Sequence, residues 1–182
     1  QHAIHTKGSL KNWQDNIAAI AKKNPILMFA IGAACISPLL EPLNLNGGGF
    51  HFHGGSSKGK TIALQVAASV FGNGADPGRA GAGGMIGRWS ATANALEGVA
   101  VSFNHMPLLL DELGTSTIKS LDAVIYQITD GAGKEAMNAN RDLKKARHWR
   151  LVILSSGEKS ISAEILRTSG REAMTGHLVR FP

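Results

Sequence analysis

Residues 54–61 read GGSSKGKT, and their reading decides the fold. They fit G-x-x-x-x-G-K-[ST] from Gly54 to Thr61. FHFH at 50–53 precedes them as an expected short strand, and KTIALQVAASVFG at 60–72 follows with apolar residues at helical spacing. A glycine loop between a strand and a helix suits an anion, because backbone N–H groups converge there and the helix N-terminus is partly positive. Gly54, Gly55, Ser56, Ser57, Lys58, Gly59, Lys60, Thr61 and Ile62 are therefore the expected binding residues for ATP. Lys60 would neutralise the β- and γ-phosphates, and Thr61 would give Mg²⁺ an oxygen ligand.

Such a loop needs an acidic partner, and one follows about fifty residues on. MPLLLDE at 106–112 reads as a buried strand ending in Asp111 and Glu112. Asp111 is expected to hold the hydrated Mg²⁺. Glu112 beside it is suited to orient and deprotonate an attacking water, which favours hydrolysis over transfer to a small acceptor. RLVILSS at 150–156 reads as a second buried strand, ending in Ser155 and Ser156. His51 and His53 alternate with Phe50 and Phe52 and read as sheet residues with ordinary hydrogen bonds, without a ligand role.

Further out, strands alternate with helical segments such as ANALEGVAVSF (93–103) and STIKSLDAVIYQITDG (116–131), which implies a parallel sheet covered on both faces. In SLKNWQDNIAAIAKKN (9–24), Ser9 caps a helix in which Leu10, Trp13, Ile17 and Ile20 recur at helical spacing. The apolar run from Pro25 reads as a buried helix ending near Ser37; Pro38, Glu41 and Pro42 interrupt it before a membrane span of about 20 residues is reached. The expected organisation is an N-terminal helical module over 1–44 and a core over 45–182.

A chain of 182 residues suits one main core, and 43% hydrophobic with 18% charged residues argues against disorder. Cys35 is the one cysteine, so no intrachain disulfide or cysteine zinc cluster can form. It is expected as a buried, inert thiol, and a reducing cytoplasm fits. No signal peptide is recognisable, and Gln1 suggests a start inside a longer protein.

The net charge of +6 favours a polyanionic partner. Lys134, Arg141, Lys144, Lys145, Arg147 and Arg150 concentrate about a third of the 19 Lys and Arg in one stretch. Two shapes fit it. Arg141, Lys144, Lys145 and His148 would form one face of a helix, whereas KEAMNA and LKKARHW could flank NRD as the limbs of a hairpin. A solvated charged excursion is the rival to any binding role.

Taken in order, GSLKNWQ (8–14), FHGGSSKGKTIALQVAASVFG (52–72), RWSATANALE (88–97), LLLDELG (108–114), GAGK (131–134), HWRLVILSSGE (148–158) and LVRFP (178–182) resemble a known family. It is the uncharacterised ATPase domain of phage and mobile-element replication proteins, related to helicases that resemble the minichromosome-maintenance type. The resemblance implies an α/β phosphate-loop NTPase core of AAA+-like, three-layer build. It puts Gly59, Lys60 and Thr61 on the nucleotide loop, Asp111 and Glu112 on the metal and hydrolysis pair, and Ser155 and Ser156 on the sensor strand. Arg180 looks like the arginine that such rings supply to a neighbour's γ-phosphate. The resemblance also favours the hairpin for the basic stretch, pointed into a central pore with Lys134, Arg141, Lys144, Lys145 and Arg147 toward DNA. A lid or winged helix would follow the core. Trp89, Thr92, Asn94 and Glu97 match the family without an evident chemical role.

The expected activity is ATP hydrolysis by a homo-oligomeric, hexameric ring that translocates on single-stranded DNA, with no membrane partner. A small-molecule kinase with the same loop, or an assembly module that holds ATP without hydrolysing it, are the alternatives.

Overall fold

The computed structural model describes residues 4–76, 83–133 and 146–182, together with the backbone of 136–137 and 143–144. Ser9 accepts from the Asn12 N–H and opens α1 (Leu10–Trp13), which runs through a π-helical turn at Gln14–Ala18 into α2 (Ala19–Ala21). Of the four apolar positions, Trp13 and Ile17 are partly buried, with the Trp13 indole N–H donating to Ser69, while Leu10 and Ile20 are exposed. Asn24 caps α3 (Pro25–Ile36), with proline at the first helical position where its missing N–H costs nothing.

The sheet is parallel, in the order β1 (Gly48–His53), β6 (Val152–Gly157), β3 (Leu108–Asp111), β2 (Ile86–Arg88). β6 and most of β3 are buried on both faces, as the unbroken apolar runs require. Between the strands come α4 (Lys60–Ala68), α5 (Ala93–Ser102) and α6 (Leu121–Asp130); α7 (Ile161–Ser169) and α8 (Thr175–Arg180) follow β6. One face of the sheet packs against α3 and α4 through Ala30, Ala33, Ala34, Ala63, Leu64 and Ala67. The other packs against α5, α6 and α7 through Leu96, Val124, Ile125, Ile128 and Ile165. The alternation read from the sequence is therefore the observed three-layer arrangement.

α3 is apolar all round but buried along one side: Ile26, Met28 and Phe29 are exposed. Cys35 is exposed too, contrary to the expectation of a buried thiol, because the small side chains Ala30, Ala33 and Ala34 are the ones that face α4. No helix among the described residues is long and apolar enough to cross a membrane.

The chain's last residues return to the outer edge of β1. The Pro182 carbonyl accepts from the His51 N–H at 2.9 Å, and Phe181 is fully buried against Gly49. The basic stretch contains an antiparallel pair, β4 (Ala136–Met137) with β5 (Leu143–Lys144), in register Ala136 with Lys144 and Met137 with Leu143. This is the hairpin alternative; the helix is not formed at these positions. Its base is closed by the Gly133 N–H to Arg147 carbonyl bond of 2.7 Å and the Trp149 N–H to Gly131 carbonyl bond of 2.9 Å. Lys134, Arg141 and Lys145 lie outside the described residues, and Arg147 is exposed.

Candidate functional site

All four strands end on one side of the sheet, the side where open parallel sheets bind ligands. The glycine loop leaves β1 there and enters α4. Gly59 caps α4 with φ of +84°, a backbone that side chains rarely adopt. No side chain caps the first turn of α4, so its leading N–H groups are open to an anion. The Lys60 ammonium is folded into the loop and donates to the Gly54 and Gly55 carbonyls, each at 2.8 Å.

Asp111 ends β3 opposite this helix. Its Oδ1 accepts from the Thr61 hydroxyl at 3.3 Å and, in a short bond, from the Ser156 hydroxyl. The Ser156 oxygen in turn accepts from the Glu112 N–H at 3.1 Å. Thr61, Asp111 and Ser156, from three elements, thus meet in one cluster of oxygens, and the Glu112 N–H donates into it. A cleft of about 380 Å³ lies over them, lined by Ser56 to Ile62, Glu112, Ser156 and Glu158. Glu158, in the loop after β6, is a residue that sequence reasoning did not select; the acid two residues after Ser156 was the available signal.

Adjacent strand residues face opposite ways, and this separates the two serines. Ser155 points away from Asp111 into a buried chain of bonds. The Trp89 indole N–H donates to the Ser155 oxygen at 2.8 Å, and Ser155 shares a bond of 2.9 Å with His51 Nδ1. His51 Nε2 lies 2.9 Å from the Lys159 carbonyl, an acceptor, so Nε2 carries the hydrogen and Nδ1 accepts from Ser155. Burial holds the His51 pKa well below its ordinary 6.5, at about 4, opposed by the Lys159 bond. Trp89 is fully buried, so it is core with one hydrogen bond. His51 makes ordinary hydrogen bonds, as expected. Among the described residues no group of three or more His, Cys, Asp or Glu side chains comes together to hold a metal ion.

Thr92 and Glu97 of RWSATANALE also gain structural roles. Thr92 caps α5 by accepting from the Ala95 N–H, and Glu97 accepts from Gln127 at 2.8 Å while standing against Gly133 at the hairpin base. Arg180 is held on its own chain: its guanidinium lies over the Tyr126 ring, 4.3 Å from the centroid, and 3.5 Å from Asp130. A second cleft, of about 490 Å³, opens on the other side of the loop between Ile26, Leu27, Phe52 and Ile62.

No curated protein matches the chain. Among solved structures it is similar to one described as "SCCmec type IV Cch - active helicase", at 27% identity and a TM-score of 0.67, over 89% of this chain. The similarity spans 30% of that helicase's length. The model of a family described as a domain of unknown function, DUF927, matches residues 1–148, and the chain belongs to that family.

Proposed function

We propose that the chain is the ATP-hydrolysing part of a phage or mobile-element replicative DNA helicase or translocase, acting as an oligomeric ring on single-stranded DNA. The observation that carries this is the convergence of Thr61, Asp111, Ser156 and Glu112 opposite the uncapped start of α4. The likeness to an active helicase supports the DNA-directed part. In this reading residues 1–44 form a helical module on an ATPase core over 45–182.

The donor set suits both ligands. The glycine loop and the first turn of α4 offer N–H groups to phosphate oxygens, and Lys60, now bonded to the Gly54 and Gly55 carbonyls, would turn to the β- and γ-phosphates. The Thr61 hydroxyl and the Asp111 carboxylate are hard oxygens of the kind Mg²⁺ takes, and they already lie within hydrogen-bonding distance. When bound, Mg²⁺ supplies charge neutralisation at the phosphates. Glu112 would take the proton of the attacking water. Ser156 orients Asp111 and holds the Glu112 backbone, so it is the serine suited to sense the γ-phosphate. Arg180, exposed enough to swing from Tyr126 and Asp130, would serve a neighbouring subunit.

The deciding experiment measures ATPase rate against protein concentration, with and without single-stranded DNA, in the full polypeptide. A rate per subunit that rises with concentration and with DNA supports the ring motor. Glu112→Gln should keep ATP bound while turnover stops, and Lys60→Ala should lose binding. A wild type with no DNA-stimulated hydrolysis would sink the motor reading.

A further inference from the structure

We propose that Arg167, paired with Glu164, is a positioning residue that sets Glu112 for hydrolysis. This rests on the hydrolytic reading of the cleft. Glu112 has φ of +59° and ψ of +67°, a left-handed conformation that costs a non-glycine residue energy and persists only where neighbours impose it. Part of that imposition is local: the Glu112 carbonyl accepts from the Thr115 N–H at 3.1 Å and from the Thr115 hydroxyl at 2.8 Å.

The rest comes from α7. One Arg167 terminal nitrogen donates to the Gly114 carbonyl at 3.3 Å and to the Ser116 carbonyl at 3.4 Å, gripping the 3-10 turn at Leu113–Thr115 that follows Glu112. Its Nε donates to Glu164 at 2.5 Å. Glu164 is 3% exposed, so a buried carboxylate fixes the direction of the arginine. Gly114 lies between two acids: a Cβ there would stand 3.5 Å from Glu112 Oε1 and 3.9 Å from Glu164 Oε1. Arg167 supplies the positive charge that pairs the buried Glu164 carboxylate beside this turn. Its planar fork serves the carboxylate and the carbonyls together, which a lysine cannot do from one position.

α7 is also the helix that follows β6, so Ser156 on the strand bonds the Glu112 N–H while Arg167 on the helix bonds the turn after it. A small displacement of a general base costs far more turnover than binding, because substrate affinity depends on the glycine loop instead.

The test compares wild type, Arg167→Ala and Arg167→Lys in the full polypeptide by steady-state ATPase kinetics and by amide hydrogen exchange over 112–116. Arg167→Ala should lower kcat by about tenfold or more with KM for ATP within about twofold, and Arg167→Lys should fall between the two. Exchange at 112–116 should quicken in Arg167→Ala while α4 and β6 keep their protection. An unchanged kcat, a rise in KM matching the loss, or unchanged exchange overturns the proposal. A wild type without turnover overturns the hydrolytic reading itself, and quickened exchange would then mark Arg167 as a brace for the turn alone.

Discussion

The Ser156 hydroxyl bonds Asp111 while its neighbour Ser155 bonds His51 and Trp89, on the opposite face of the same strand. Two adjacent serines should therefore fail in different ways. Ser156→Ala frees the Asp111 carboxylate and the Glu112 N–H, and ATP turnover should fall by about tenfold with little change in unfolding midpoint. Ser155→Ala leaves buried donor and acceptor groups on Trp89 and His51 without partners, at a cost of about 1–3 kcal/mol. Urea unfolding and ATPase assays on both variants check this; equal effects on turnover would end the distinction.

That contrast marks where sequence reading stopped. The glycine loop, Asp111, Glu112 and the strand of Ser155 and Ser156 were legible because each is local: a spacing, a strand end, a carboxylate pair. Which serine faces the cleft was not, since β6 is buried on both faces and carries no alternation to phase it. Arg167 was hidden for a different reason. Its carbonyl partners lie more than fifty positions away, and an arginine on a helix otherwise reads as solvated. The first helix and its Ser9 cap were legible, but its π turn at Gln14–Ala18 was not, because apolar spacing alone does not signal a locally wider turn.

Gly49 of β1 stands against the Phe181 ring: a Cβ there would come within 2.5 Å of one ring carbon and 2.6 Å of the next. A fully buried ring in the core on that face of the sheet leaves no room to yield. Gly49→Ala should destabilise by about 1–3 kcal/mol through overpacking, measured as a shift in urea midpoint at constant slope. A neutral effect would mean that the 181–182 segment moves off β1 easily.

The hairpin supplies the DNA prediction. Neutralising Lys144, Lys145 and Arg147 together removes up to three phosphate contacts, so the slope of log affinity for single-stranded DNA against log salt should shrink by about 2. Basal ATP hydrolysis should persist while its stimulation by DNA is lost. Fluorescence anisotropy across a salt series and ATPase assays read both, and an unaltered slope would assign these cations to a solvated face.

His51 should make the fold sensitive to mild acid. Its ring is neutral because Nδ1 accepts from Ser155 and Nε2 donates to Lys159, and protonation would set a hydrogen against the Ser155 hydroxyl. Burial is the main cause of its lowered pKa, with His53 and Lys60 adding repulsion and the Lys159 bond and Glu164 opposing. The folded pKa of about 4 lies below the ordinary 6.5, so between these values the unfolded chain binds the extra proton. This contribution to stability is complete above about pH 6.5 and drains away as pH falls toward 4, on the order of 3 kcal/mol across the window. His51→Gln places a group that does not titrate there, so its urea midpoint should fall less than that of wild type between pH 7 and pH 4.5. Parallel declines would move the acid sensitivity to other groups and leave the Trp89–Ser155–His51 chain as packing alone.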